Sequence, residues 1–273
     1  MSAGRELAGA PTTDPGTGFL DVAGRRIRHR VLGHGADAVV LVHGFGGCLE
    51  NWAANQAALA AGGRTVAALD LPGHGESSVD VGSGSLDELA SVLLGYLDAA
   101  GLGRVHLAGH SMGAALCLVV ADREPTRVRS LTLVGPAGIG QKINADFIRA
   151  YIAAQGHEAL GKLLGMLVAD PSRVTAREIE QAVAYKRLDG VSAALLTIAS
   201  SRYGRTPSGR ALHEVAGTVP TLAIWGAADA IIPPPVDFER PGVELHVLPG
   251  CGHMVQLEAA DEVNRLIDAF LRP

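Results

Sequence analysis

The chain predicts an α/β fold, a mostly parallel sheet flanked by helices. Three observations point there. Apolar runs at residues 38–43 and 104–108, with a further strand at 130–134, suit strands buried on both faces of a parallel sheet. These runs alternate with longer helix-like segments, the pattern of strand–helix–strand units. A G-x-S-x-G pentapeptide, Gly109-His110-Ser111-Met112-Gly113, lies between one such run and the helix-like residues 114–121. At 273 residues and 48% hydrophobic content, the chain can build a large core as one domain.

Residues 18–22 and 26–32 alternate as two half-buried strands around a turn at Ala23-Gly24. The strand at 38–43 follows. Residues 52–61 form a helix ended by Gly62-Gly63, and 64–69 the next strand, leading into the turn-rich Asp70-Leu71-Pro72-Gly73-His74-Gly75-Glu76-Ser77. A long helix spans 85–100, with Ser85 as its cap, Glu88 three residues on and Gly101 past its end. The strand before the pentapeptide, its helix and the strand at 130–134 come next.

The pattern changes after residues 135–140. From about 141 to 212 no strand is evident, and helical pieces fall at 145–154, 158–168, 175–185 and 191–200. We expect this block to be a helical lid inserted after the sixth strand. Alternation resumes with strands at 221–225 and 244–248 and a last helix from about 259 to 271. Residues 1–17, rich in Gly, Ala, Pro and Thr, read as a disordered lead-in without the basic start and apolar segment of a signal peptide. We therefore expect one folded domain over 18–273 and a cytoplasmic location.

Composition narrows the function. A net charge of −5 offers no basic footprint for nucleic acid. No apolar run reaches the roughly 18 residues of a membrane span. Cys48, Cys117 and Cys251 have no metal-type spacing and read as free thiols. We expect no metal or organic cofactor and a small-molecule acyl substrate; oligomeric state stays open.

The pentapeptide carries nucleophile chemistry. A serine on a sharp strand-to-helix turn presents its hydroxyl at a helix N-terminus, and glycines two positions away leave room for the turn. A serine hydroxyl needs a base within hydrogen-bond reach. His253 follows the last strand in Leu248-Pro249-Gly250-Cys251-Gly252-His253-Met254. Asp229, in Trp225-Gly226-Ala227-Ala228-Asp229, lies between nucleophile and base in the chain. There it would orient the imidazole and stabilise its protonated form. The backbone N–H groups of Phe45 and Met112 are candidate oxyanion donors, Phe45 from the loop His43-Gly44-Phe45-Gly46-Gly47. His43, His74 and Glu76 read as structural. Gly44 and His110 are candidate pocket residues. Lys186 and Arg187, in the lid, either form a solvated helix face or meet a substrate carboxylate or phosphate.

The order Ser111, Asp229, His253, with the loop after residue 43 and the turn at 70–75, resembles the α/β-hydrolase superfamily over roughly residues 18–272. The resemblance implies an eight-stranded, mostly parallel sheet and a Ser-His-Asp triad. A closer likeness lies in Asn51-Trp52, Gly138-Ile139-Gly140-Gln141-Lys142-Ile143-Asn144, Tyr185-Lys186-Arg187-Leu188-Asp189-Gly190-Val191 and Gly252-His253-Met254-Val255-Gln256-Leu257-Glu258. These look like the hydrolase-fold region of acetoin dehydrogenase acetyltransferase components, a family assigned to moving acetyl from dihydrolipoamide to coenzyme A. The first lysine is Lys142, so we expect no lipoyl domain with its modifiable lysine in these 273 residues.

Serine at 111 sets the chain apart from haloalkane dehalogenases and epoxide hydrolases, which use an aspartate nucleophile. Carbon–carbon bond hydrolases and so-called haloperoxidases keep serine and stay open. We expect hydrolysis of a carboxylic ester, thioester or related acyl or C–C bond. The alternatives are acyl transfer to a thiol on the same residues and a non-catalytic receptor on the same fold.

Overall fold

In the computed structural model, which describes residues 16–139, 143–200 and 205–272, the chain begins with a hairpin, β1 (Thr17–Val22) and β2 (Arg25–Leu32). There follow β3 (Ala38–Val42), a 3-10 turn at Leu49–Trp52, α1 (Ala53–Ala61), β4 (Thr65–Leu69), α2 (Leu86–Ala99), β5 (Val105–His110), α3 (Met112–Arg123) and β6 (Val128–Val134). Between β6 and the next strand lie α4 (Ala145–Ala153), α5 (His157–Gly165), α6 (Ala176–Lys186), α7 (Val191–Ala199) and the short α8 (Leu212–Val215). The chain closes with β7 (Thr221–Gly226), β8 (Val243–Leu248), α9 (Val255–Glu258) and α10 (Ala260–Leu271).

The strands form one sheet in the order β1-β2-β4-β3-β5-β6-β7-β8. β1 and β2, and β2 and β4, pair antiparallel; the other pairs are parallel. This is the eight-stranded, mostly parallel sheet of the expected fold. β5 and β7 are buried at every position, which is why apolar and small residues prevail in both. The half-exposed β1 and β8 sit at the two edges.

Helices cover both faces. α2, α3 and the insertion helices share one core cluster with Val40, Val42, Leu107 and Leu131. α1 and α10 meet on the other face, where Leu59, Val263 and Ile267 pack with Val39, Leu41 and Ile224. α3 is buried over Met112–Ala121 because it lies between the sheet and α2 and α8. Ser85 caps α2 as expected, accepting the Glu88 N–H at 3.1 Å.

Several boundaries differ from the sequence pattern, two of them next to the candidate site residues. The strand before Ser111 runs on to His110, so the serine follows the strand with no intervening loop. α5 stops at Gly165, short of residue 168, because residues 167–169 instead bond the loop around His253. Residues 1–15 of the expected lead-in, 141–142 and 201–204 of the expected lid, and residues 140 and 273 lie outside the described residues. Cys48, Cys117 and Cys251 are free thiols. Among the described residues, no helix is long and apolar enough to cross a membrane.

Candidate active site

Ser111 joins β5 to α3 at φ 53° and ψ −114°, a conformation L-residues rarely adopt. The turn is tight enough to demand both glycines. A methyl at Gly109 would sit 2.5 Å from the carbonyl carbon of Gly113, and one at Gly113 would sit 2.4 Å from the carbonyl oxygen of His43. The backbone of Ser111 is tied to the end of β6. Its N–H donates to Val134 O at 2.8 Å, and its carbonyl accepts from Ala137 N at 3.2 Å.

The same segment leads to the other two candidates. A methyl at Gly135 would lie 3.2 Å from His253 Nδ1 and 3.4 Å from Asp229 Oδ2. His253 and Asp229 are themselves buried, at 3% and 4% exposure, and joined Nδ1 to Oδ2 at 2.8 Å. The second oxygen of Asp229 accepts the N–H groups of Ile231 and Ile232, each at 2.8 Å. Each carboxylate oxygen therefore has a defined partner. The aspartate turn after β7 is self-capping, as short polar side chains favour.

The loop after β3 crosses over Ser111. A methyl at Gly44 would lie 2.9 Å from His110 Nδ1 and 3.0 Å from Ser111 Cβ. The Gly44 carbonyl is held by His43 Nδ1 at 2.8 Å and by the Gly47 N–H at 3.1 Å. In a trans peptide the N–H points opposite the carbonyl, so these bonds fix the direction of the Phe45 N–H. His43 Nε2 accepts the Leu71 N–H at 2.9 Å, which assigns its proton to Nδ1. Burial, with the neighbouring His74, pushes the His43 pKa down to about 3 and keeps the ring neutral.

Behind this loop, Asp70 accepts the N–H groups of Leu49 at 2.7 Å and Glu76 at 3.0 Å and faces Arg28 at 3.3 Å. Burial nevertheless pushes its pKa up to about 6. His43, His74 and Asp70 thus serve to hold the loop. Met112 is the first residue of α3 and is buried at 2% exposure, so its N–H belongs to the unpaired donors of a helix start.

The helical insertion reaches the same loop. Tyr151 OH donates to Gly46 O at 3.2 Å, and Tyr185 OH donates to Gly73 O at 2.7 Å. Phe45 meets Tyr151 edge-on at 6.2 Å, and His74 stacks on Tyr185 at 6.5 Å between ring centres. Lys186 is buried. Its ammonium donates to Ile152 O at 2.8 Å and stands 5.6 Å from the Tyr151 ring centre, and burial lowers its pKa. Arg187 is exposed at the C-terminal end of α6. The structure therefore gathers Gly44, Phe45, His110, Ser111, Met112, Asp229 and His253. It links Lys186 to the Gly46 end of the loop through Tyr151 and leaves Arg187 outside.

One contact was not legible beforehand. His110 Nε2 bonds the carbonyl oxygen of His253 at 3.0 Å, with the two rings 4.7 Å apart. A carbonyl only accepts, so His110 carries its proton on Nε2. Burial and the adjacent His253 hold the His110 pKa well below its usual value. The expected role of His110 was pocket lining; its ring also fixes the backbone of His253. Tyr151 and Tyr185 carried no signal apart from the motif in which Tyr185 sits.

A family model described as alpha/beta hydrolase fold matches residues 37–260. The chain is 46% identical over 253 residues to the dihydrolipoyllysine-residue acetyltransferase component of the acetoin cleaving system of Pseudomonas putida, covering 92% of this chain and 68% of that protein. It is 33% identical over 264 residues to a 2-hydroxy-6-oxononadienedioate/2-hydroxy-6-oxononatrienedioate hydrolase of Burkholderia vietnamiensis, covering 90% and 91%. Among solved structures, a meta-cleavage product hydrolase from Pseudomonas fluorescens IP01 superposes with a TM-score of 0.78 at 25% identity, covering 93% of this chain and 96% of that one. The chain belongs to the α/β hydrolase fold family.

Proposed function

We propose that the protein is a serine hydrolase that cleaves an ester, thioester or related acyl or C–C bond of a small molecule. The observation that carries this reading is the buried Asp229–His253 pair, bonded at 2.8 Å, with the His253 carbonyl held at 3.0 Å by His110, the residue before a serine in a strained strand-to-helix turn. Ser111 Oγ attacks the carbonyl carbon while His253 Nε2 takes its proton. Asp229 Oδ2 accepts the Nδ1 proton of His253 and so leaves Nε2 with the lone pair. The N–H groups of Phe45 and Met112 receive the oxyanion, aided by the positive end of α3. His253 then protonates the leaving group and activates the water that releases the acid. No step calls on a metal or an organic cofactor.

Pocket residues in this reading are Gly44 and His110, which touch the turn directly, and Lys186, whose buried cation would meet an acid group of the substrate. Arg187 has no such role, given its exposure.

A second reading, acyl transfer to a thiol, is favoured by the 46% identity to the P. putida acetyltransferase component. It keeps every residue role and replaces water by a thiol in the second half. Steady turnover of p-nitrophenyl acetate in buffer, abolished in Ser111→Ala, supports the hydrolase. A single burst that becomes turnover only with dihydrolipoamide supports the transferase. Release that is equal in both proteins contradicts both readings and favours a receptor.

A further inference from the structure

The residues on either side of His253 have their amides held from outside its loop. The N–H of Met254 donates to Leu167 O in the helical insertion at 3.0 Å. The N–H of Gly252 donates to Glu258 Oε1 at 2.8 Å. The other oxygen of the same carboxylate, Oε2, accepts the N–H of Ala169 in the insertion at 2.7 Å. The Glu258 backbone is fixed in turn. Its N–H donates to Met254 O at 2.9 Å, and its carbonyl accepts two N–H groups of Arg173 at 3.2 Å each. The segments are in close contact, since a methyl at Gly252 would lie 2.7 Å from Val168 C and 2.8 Å from Ala169 N.

We propose that Glu258 is a positioning residue whose carboxylate latches the Ala169 amide of the insertion to the amide of Gly252, the residue before His253, so that the insertion sets where the imidazole stands. The proposal rests on the reading of His253 as the base. Two amides, one on each side, bind one oxygen each. Both bonds are charge-assisted and short. Glutamine keeps one acceptor and turns an NH2 toward the other amide, so Glu258→Gln must release either Gly252 or Ala169. Loss of the latch frees the loop around His253 without touching the substrate pocket, and a displacement of the order of 1 Å costs about 10²-fold in turnover.

The test measures kcat and KM of Glu258→Gln on p-nitrophenyl acetate, with backbone amide exchange read segment by segment. The latch predicts a kcat about 10²-fold lower with KM little changed. It also predicts faster exchange confined to residues 166–170 and 250–254. A lower melting temperature with kcat intact overturns the proposal, as does exchange that rises throughout the sheet. If Glu258→Gln does not fold, Glu258→Asp keeps the charge, falls one methylene short of spanning both amides, and is held to the same outcomes. His253→Ala separates the two ideas. If it keeps full Ser111-dependent activity, the base reading fails. If it is inactive while Glu258→Gln keeps full kcat, the latch alone fails.

Discussion

His110 Nε2 donates to the carbonyl oxygen of His253 at 3.0 Å, so the residue before the candidate nucleophile holds the backbone of the candidate base. β5 and the loop after β8 are thereby fastened together at the point where the chemistry is proposed. His110→Phe keeps an aromatic ring, somewhat larger, and removes the donor to the His253 carbonyl. We expect a stability loss of about 1–3 kcal/mol in urea unfolding. Turnover should fall as well, toward about 10²-fold if the loop shifts by an ångström. An unchanged kcat in this variant would show that the bond does not position His253.

Asp229→Asn separates the two jobs of the carboxylate. The amide oxygen can still accept the N–H groups of Ile231 and Ile232, so the fold should be kept. The amide nitrogen then faces His253 Nδ1 as a donor and drives the imidazole proton to Nε2, the wrong tautomer for a base. We expect kcat to drop by about 10⁴-fold with a nearly unchanged melting curve. A drop of less than tenfold contradicts the assigned role.

The conformation of Ser111 carries a cost. At φ 53° and ψ −114° a side chain is strained, whereas glycine is not. Ser111→Gly should therefore be more stable than Ser111→Ala by about 1 kcal/mol, after allowing for the extra backbone entropy of glycine. Both should be inactive. Equal melting temperatures for the two would mean that the turn stores no strain.

Buried neutral histidines predict acid sensitivity. Burial holds His74 down to about 4 and His43 down to about 3, against 6.5 for an ordinary imidazole. Below pH 6.5 the unfolded chain takes up protons that the folded chain refuses. Stability therefore falls with falling pH, for His74 across the window from 6.5 to about 4, and levels off beneath it. His74→Phe removes one such site; its Nε2 has no hydrogen-bond partner among the described residues, and its Nδ1 bond to Pro72 O at 3.0 Å is lost. Across that window the slope of unfolding free energy against pH should flatten by about 1.4 kcal/mol per pH unit. The same slope in variant and wild type would rule the assignment out.

What could be read in advance follows from the range of the interactions. β3, β5 and β7 were legible because burial on both faces leaves an apolar run that no helix of that length explains. Ser111, Asp229 and His253 were legible because each sits at a strand end whose turn residues are local. The bonds of Glu258 to Ala169 and of His110 to His253 were not, since the partners are backbone groups 89 and 143 positions away. A backbone N–H or carbonyl leaves no mark on residue identity. The helices of the insertion could be placed from their periodicity, but which faces met the loop after β3 depended on packing. Lys186 and Arg187 show the difference. They are neighbours in the chain, one buried under Tyr151 and the other exposed.

The central claim is that Ser111 carries an acyl group during turnover. Mixing the protein with p-nitrophenyl acetate, quenching in acid and weighing the intact chain tests it directly. The account predicts an acetyl adduct that maps to the peptide containing Ser111, forms with the first release of p-nitrophenol and is absent from Ser111→Ala. Turnover that proceeds with no adduct at Ser111, or that survives in Ser111→Ala, would contradict it.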